Sequence, residues 1–467
     1  MSHVLNSRVY GGLFGTHEMR EVFSDRSQVQ AWLDVEVALA RAEAAIGLIP
    51  PQAADEIASR ARADEIDMVA LKAQTEVVGY PILPLVRLLA SRCAGEAGEY
   101  IHWGATTQDI MDTAIVLQLR RAHQILARDL TRLIGVAARL AARYRDTPMA
   151  GRTHGQQALP ITFGFKVAVW VVELARHRER LLAIAPRLFV GQLGGAAGTL
   201  ASLGANGPAV QERMMAELGL GAPVIAWHVA RDVFVEFVAV LALICGTTAK
   251  IGQEIALLQQ TEVAEAEEGF VAGKGGSSTM PQKRNPITCE ALMATGTIVA
   301  QDAALMFAAM RPDHERATGP WHLEWEAIPE ACTLAGGALH HAIILLRDLI
   351  VRPDRMARNL LLTDGLIVSE AVMMALAPAI GRQRAHEIVY RAAMAAVESG
   401  RPLQAVLQET PDVTACLSPE RLRAALDVSA YTGLSAEAVN RVLSAIGRSI
   451  DATGCGGGGE GDTPRSG

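Results

Sequence analysis

Residues 273–286 read GKGGSSTMPQKRNP, and the fold of the whole chain turns on what this stretch is. Five glycines, serines and threonines fill the space between Lys274 and Lys283, and two prolines follow within the stretch. No apolar period runs through it, and an acidic stretch, residues 262–268, comes just before. Glycine and proline in this density break helix and strand alike. A phosphate loop is excluded, because the order GxxxxGK[ST] is absent and no strand pattern precedes it. A flexible linker would also suit the composition, so the surrounding sequence has to choose.

That surrounding sequence is helical. From Leu119 the apolar residues Leu119, Ala122, Leu126, Leu130, Leu133, Ala137 and Leu140 step by three or four. Such spacing lays one apolar stripe along about six helical turns. Arg120, Arg121, Arg128, Arg132, Arg139 and Arg143 fall mostly off the stripe. A second helical stretch covers residues 162–188. Residues 233–258 are apolar nearly all round, which predicts a helix covered on every side, in part by neighbouring subunits. Alternating strand patterns are scarce, against a doubly wound sheet.

The expectation is therefore an all-α chain with three helical regions. Residues 1–112 hold shorter helices broken by GLIPPQ and GYPILP. Residues 113–350 hold the long helices and the loop 273–286, and residues 351–449 return to shorter ones. Residues 450–467 are glycine-rich and are expected to form a disordered tail.

Composition narrows the function. With 467 residues, half of them hydrophobic but only 4% aromatic, the chain can bury a large core built from alanine, leucine and valine. A net charge of -7 gives no reason to expect nucleic acid or a membrane surface as partner. A small anionic substrate stays open, because local arginines and lysines decide its binding. Cys93, Cys245, Cys289, Cys332, Cys416 and Cys455 are scattered without a CxxC pair, so reduced and mostly buried thiols are expected. The start of the chain has no signal-peptide pattern, and the longest uncharged apolar run, residues 237–249, falls short of a bilayer's width. A cytoplasmic protein with no membrane partner is expected.

Three polar islands interrupt the helices: HWGATTQDIMDT at 102–113, GRTHGQQALP at 151–160, and the loop at 273–286. Loops held by a rigid scaffold are common places for function. Taken singly, each has an ordinary meaning as well. Thr106, Thr107 and Asp109 suit the cap of a helix starting near Ile110, and His154 suits a surface histidine.

Together the islands resemble the signatures of the aspartase/fumarase superfamily. The signature GSSxMPxKxNP is matched without a gap by residues 276–286, and the other two islands match in the right order. The resemblance covers roughly residues 8–449. Away from the signatures, residues 18–50 and the segment HERATGPWHLEWEAIPE at 314–330 look most like the 3-carboxy-cis,cis-muconate cycloisomerase branch. Nitrosuccinate lyases belong to that same branch.

The resemblance implies an all-α, three-domain aspartase/fumarase fold, with the central long-helix bundle completed by tetramerisation. It also implies a homotetramer whose active sites are shared between chains. The implied chemistry removes a proton from a carbon beside a carboxylate and then expels a group from the neighbouring carbon. The intermediate carries a second negative charge, which needs cations and hydrogen-bond donors placed where that charge grows.

By carry-over Ser277 is the base, and Lys283 and Asn285 hold the carboxylate that becomes the enolate. His154 gives the leaving group its proton, a task suited to an imidazole. His102, Thr106, Thr107, Gln156, Ser278, Met280 and Arg316 contact or shape the substrate, with Arg311 as a further cation; Arg284 is expected to face solvent. No metal and no organic cofactor is called for, and the expected partner is a small dicarboxylate.

Two departures refine the expectation. Adenylosuccinate lyases carry a serine- and arginine-rich stretch that grips a phosphate, where this chain has Trp321 and Trp325. Their RDR motif is also incomplete here, since Val233 follows Asp232. A nucleotide substrate is disfavoured. Several bacterial cycloisomerases carry tryptophan where His154 stands, so His154 favours elimination of fumarate from a small substituted succinate, such as nitrosuccinate or an N-substituted succinate. Cycloisomerisation of 3-carboxymuconate is the alternative. A non-catalytic protein on the same fold is opposed by Ser277, Lys283, Asn285 and His154.

Overall fold

The structure is a computed structural model that describes residues 4–271, 274–276, 279–316 and 319–452. Helices dominate it. Six long ones carry the argument: α1 (Asp25–Ala45), α2 (Thr107–Arg143), α3 (Phe163–Leu188), α4 (Asp232–Gln259), α5 (Ile287–Ala309) and α6 (Pro320–Arg347). Shorter helices fill residues 51–90 and 353–452. The all-α class follows, as expected.

The stripe on α2 explains why that helix forms. Leu119, Ala122, Leu126, Leu130, Leu133 and Ala137 are all completely buried, and Leu140 nearly so. Full burial of one leucine contributes about 1.5–3 kcal/mol, which no single propensity matches. Arg121, Arg128, Arg132, Arg139 and Arg143 lie exposed on the other face. The helix starts at Thr107, about one turn earlier than Ile110, because Asp109 sits inside its first turn rather than in front of it.

Two compact units emerge, each made of three stretches of chain. The first contains residues 1–131, 176–250 and 291–342, and the second residues 132–175, 251–290 and 343–467. Within the first, Val35, Leu39, Ile57, Leu85 and Leu89 form the heart of a core under α1. Within the second, Val372, Leu376, Leu403 and Leu407 anchor a separate core among the C-terminal helices.

One expectation needs correction. Strand structure is present: β1 (Pro148–Thr153) pairs antiparallel with β2 (Gln156–Thr162), and a two-residue pair joins Ala266–Glu267 to Ile350–Val351. The hairpin escaped notice because its strands hold Pro148, Gly151 and Pro160 and bury residues in no alternating order. One chain covers α4 only in part, leaving Leu243 and Leu257 nearly half exposed, which agrees with the expectation that a single chain exposes some of this helix.

The membrane estimate changes too. Helices α4, α5 and α6 are each long and apolar enough to cross a bilayer by length and composition, because a helix tolerates the odd charge that ends an uninterrupted run. Here they pack on protein. A Cβ added at Gly296 of α5 would lie 2.6 Å from Ala249 Cβ and 3.0 Å from the Cys245 carbonyl oxygen of α4. The backbones meet where both helices offer small residues. Cys245, Cys289 and Cys332 are buried and free, and burial pushes their thiols well up. Cys455 and the rest of 453–467 lie outside the described residues.

Candidate active site

The first island is built around Asp109, a fully buried carboxylate in the first turn of α2. It accepts from the backbone N–H of Thr106, Gly194 and Gly195, each at 2.9 Å, and from His228 Nε2 at 2.7 Å. One side chain thus caps the helix backwards and clamps the loop at 194–195 beside it. Thr106 and Thr107 are half-buried at the mouth of this helix, on a scaffold with little freedom.

Arg316 approaches the same clamp. Its guanidinium donates to the Ala196 carbonyl at 2.6 Å and to Gln108 Oε1 at 3.3 Å. His102 sits just upstream, in a left-handed conformation with φ 63°. Its Nδ1–H donates to Glu36 Oε1 on α1 at 2.7 Å. Burial alone would lower the imidazole's pKa, but the charge and hydrogen bond of Glu36, aided by Asp109, hold it above the ordinary value.

Arg231 completes the polar interior of this unit. It donates to Asp112 at 2.7 and 3.0 Å and to Glu324 at 2.8 Å, with all three residues buried. This is the arginine of the incomplete RDR motif, and its donors are taken up inside the protein. Next to it, Trp321, Trp325, His322 and Tyr80 cluster ring against ring.

In the second unit the second island is a hairpin rather than a loop. Thr153 pairs with Gln156, so His154 and Gly155 are the whole turn, with φ of 53° and 76°. Positive φ at both central positions is the type I′ turn, which matches the twist of the strands. Glycine takes that conformation freely, whereas histidine is strained in it. The turn leaves His154 and Gln156 exposed at the hairpin's tip. The arm is fixed from behind. Arg152 makes a two-pronged pair with the buried Glu265 at 2.9 and 2.8 Å, and Asn359 donates to the same carboxylate at 2.8 Å.

The third island is closed at its neck. Gly276 and Arg284 form an antiparallel bridge, and the Asn285 N–H donates to the Gly275 carbonyl at 3.0 Å. Gly275 has φ 67°, and any Cβ there would stand 2.6 Å from the Asn285 carbonyl oxygen. Lys274 pairs with Glu268 at 3.0 Å, and Glu268 also accepts from the Cys289 N–H at 2.8 Å. Burial pushes the Glu268 carboxyl up, but these donors outweigh it and hold it low. Met280 and Lys283 are exposed on the loop and Asn285 is half-buried. Ser277 and Ser278 lie outside the described residues. Arg284 does not simply face solvent: its guanidinium stacks 4.1 Å from the Phe270 ring centroid and 3.6 Å from Glu267.

The candidates therefore fall into two groups. His102, Thr106, Thr107 and Arg316 belong to the first unit; His154, Gln156, Met280, Lys283 and Asn285 belong to the second. Among the described residues no hydrogen bond or ion pair joins His154 or Gln156 to Lys283 or Asn285. No cluster of three or more His, Cys, Asp or Glu side chains able to hold a metal occurs among the described residues. Sequence reading missed Glu36, Arg152, Glu265 and the reach of Asp109, because each acts on a partner far away in the chain.

Long helices with three polar islands at their ends define an enzyme of the lyase class. The comparisons agree. A family model described as lyase matches residues 14–300, and one described as adenylosuccinate lyase C-terminus matches residues 365–442. The 3-carboxy-cis,cis-muconate cycloisomerase of Pseudomonas aeruginosa is 46% identical over 95% of this chain and 97% of its own. The N-acetyl-S-(2-succino)cysteine lyase of Dickeya dadantii is 43% identical over 97% of this chain and 99% of its own. The crystal structure of a fumarate lyase from Mesorhizobium sp. BNC1 superposes with a TM-score of 0.87 at 48% identity, covering 92% of this chain and 98% of that one. The chain belongs to the aspartase/fumarase superfamily.

Proposed function

We propose that the chain catalyses β-elimination from a small substituted succinate, X–CH(COO⁻)–CH₂–COO⁻, to give fumarate and HX. Ser277, as the alkoxide, takes a proton from the CH₂ carbon. The electron pair moves onto the adjoining carboxylate, where Lys283 and Asn285 stabilise the added charge. Collapse of that enolate forms the double bond and breaks the C–X bond, and His154 supplies the proton that makes HX. The islands of three copies of the chain complete each site, in a homotetramer.

The observation that carries this proposal is His154 itself. A rigid hairpin, pinned by Arg152 and Glu265, holds an exposed imidazole at its tip in a strained turn. A proton donor placed this way suits a leaving group that departs poorly as an anion, such as a thiolate or an amine, and suits nitrite less. The succinocysteine lyase relative supports a succinate carrying a sulfur substituent, and the fumarate lyase relative supports fumarate chemistry. Cycloisomerisation of 3-carboxymuconate is the second candidate, favoured by 46% identity to a protein so named.

One incubation separates them. The purified protein is given N-acetyl-S-(2-succino)cysteine, nitrosuccinate, aspartate, adenylosuccinate and 3-carboxy-cis,cis-muconate in turn, and products are read by proton NMR. The expected result is the vinyl signal of fumarate from a substituted succinate. Lactone from the muconate, with no fumarate from any succinate, would overturn the proposal.

A further inference from the structure

Helix α1 buries two carboxyl groups that the elimination chemistry leaves unused, one of them against His102. Glu36 and Glu43 stand seven residues apart on α1, hence on one face of the helix, two turns from each other. Glu36 is 2% exposed and Glu43 not at all. Glu36 Oε1 receives the His102 Nδ1–H, while Glu36 Oε2 and both Glu43 oxygens have no hydrogen-bond partner among the described residues. Buried carboxyls without partners are costly. A carboxyl with no partner, two turns from one that holds a histidine, calls for a reason.

We infer that Glu36 is a positioning residue that holds His102 as an imidazolium, with Nδ1–H turned inward and Nε2–H left as the donor for a substrate carboxylate. Glu43 is its neutral companion. The geometry gives the direction: the inward nitrogen is fixed by a buried acceptor at 2.7 Å, and the ring's remaining exposure leaves only Nε2 to meet a ligand. Its backbone strain, φ 63°, is the kind that persists where surroundings over-determine a side chain.

Charge is consistent with this. The titratable groups facing the imidazole are Glu36 from α1 and Asp109 from α2. Burial, and then the Glu36 charge, push the Glu43 carboxyl up to about 9. Glu43 is thus the protonated member at neutral pH. The first island then offers a fixed cation to a dianionic substrate, complementing Lys283 on the third. Only the identity of the substrate rests on the elimination proposal.

The test uses the full chain labelled with ¹³C at histidine, with His102→Asn assigning the resonance. In the wild type the His102 midpoint is expected above that of a free histidine. Glu36→Gln is expected to lower it by about one pH unit or more, and Glu36→Asp to restore part of that shift. Fumarate, titrated as probe, should bind about tenfold more weakly to Glu36→Gln. On turnover, KM should rise far more than kcat falls. A His102 midpoint unchanged in both Glu36 variants would overturn the inference. If fumarate fails to bind the wild type while the midpoint shifts as expected, the elimination proposal falls and the Glu36–His102 assignment stands.

Discussion

Glu43 stores a cost inside the molecule. In the unfolded chain this carboxyl releases its proton near the ordinary value of 4.5, while in the folded protein it holds the proton to about 9. Between those values the folded state binds more protons than the unfolded one, so stability falls as pH rises through the window. At pH 7 the difference is about 3 kcal/mol by linkage. Glu43→Gln keeps the shape and has no proton to lose. It is expected to be more stable than the wild type by about that amount near neutral pH, with the gain vanishing toward pH 4.5. Unfolding by urea at acid and at neutral pH checks this. Parallel pH profiles for the two proteins would show that Glu43 is ionised in its buried site.

Other residues show why part of the site was legible and part was not. Ser277, Lys283, Asn285 and His154 stood out because short motifs place them in fixed local order. Glu36 sits 66 positions from His102, and Arg152 sits 113 from Glu265. Such pairs leave no local period or spacing. Asp109 looked like a cap in front of a helix, yet it acts from inside the first turn and across to residues 194 and 195.

Among the elements, α2 was readable because burial of one stripe dominates its energetics, and its alternating neighbours along the sequence differ so sharply in polarity. The hairpin β1–β2 was not, because its register depends on a two-residue turn and a shift between Gly151 and Arg152 rather than on alternating burial. The signature loop depends in turn on its neck. At Gly275 an added methyl would meet the Asn285 carbonyl oxygen in a left-handed backbone, a combination that costs about 1 kcal/mol or more. Gly275→Ala is expected to displace Lys283 and Asn285 and to lower kcat at least tenfold. Its helical circular dichroism and melting should stay close to the wild type, since the loop lies outside both cores. Full activity in this variant would show that the neck does not position the loop.

On the scale of the whole molecule, each chain exposes apolar side chains along its long helices: Leu243 and Leu257 on α4, Ile298 and Phe307 on α5. The sequence hinted at this through the all-round apolar character of α4, though one chain covers only part of it. Apolar faces of this kind are suited to other copies. In the proposed mechanism the decisive arrangement is that Ser277 and His154 act on one substrate from different copies of the chain. It is tested most directly by mixing two inactive variants, His154→Asn and Ser277→Ala, after unfolding and joint refolding. Each alone is expected to lose about 10²–10⁴-fold of fumarate-forming activity. The mixture is expected to regain a readily measured fraction of the wild-type rate, because some sites receive both intact residues. A mixture no more active than its parents, or either parent as active as the wild type, would contradict the claim.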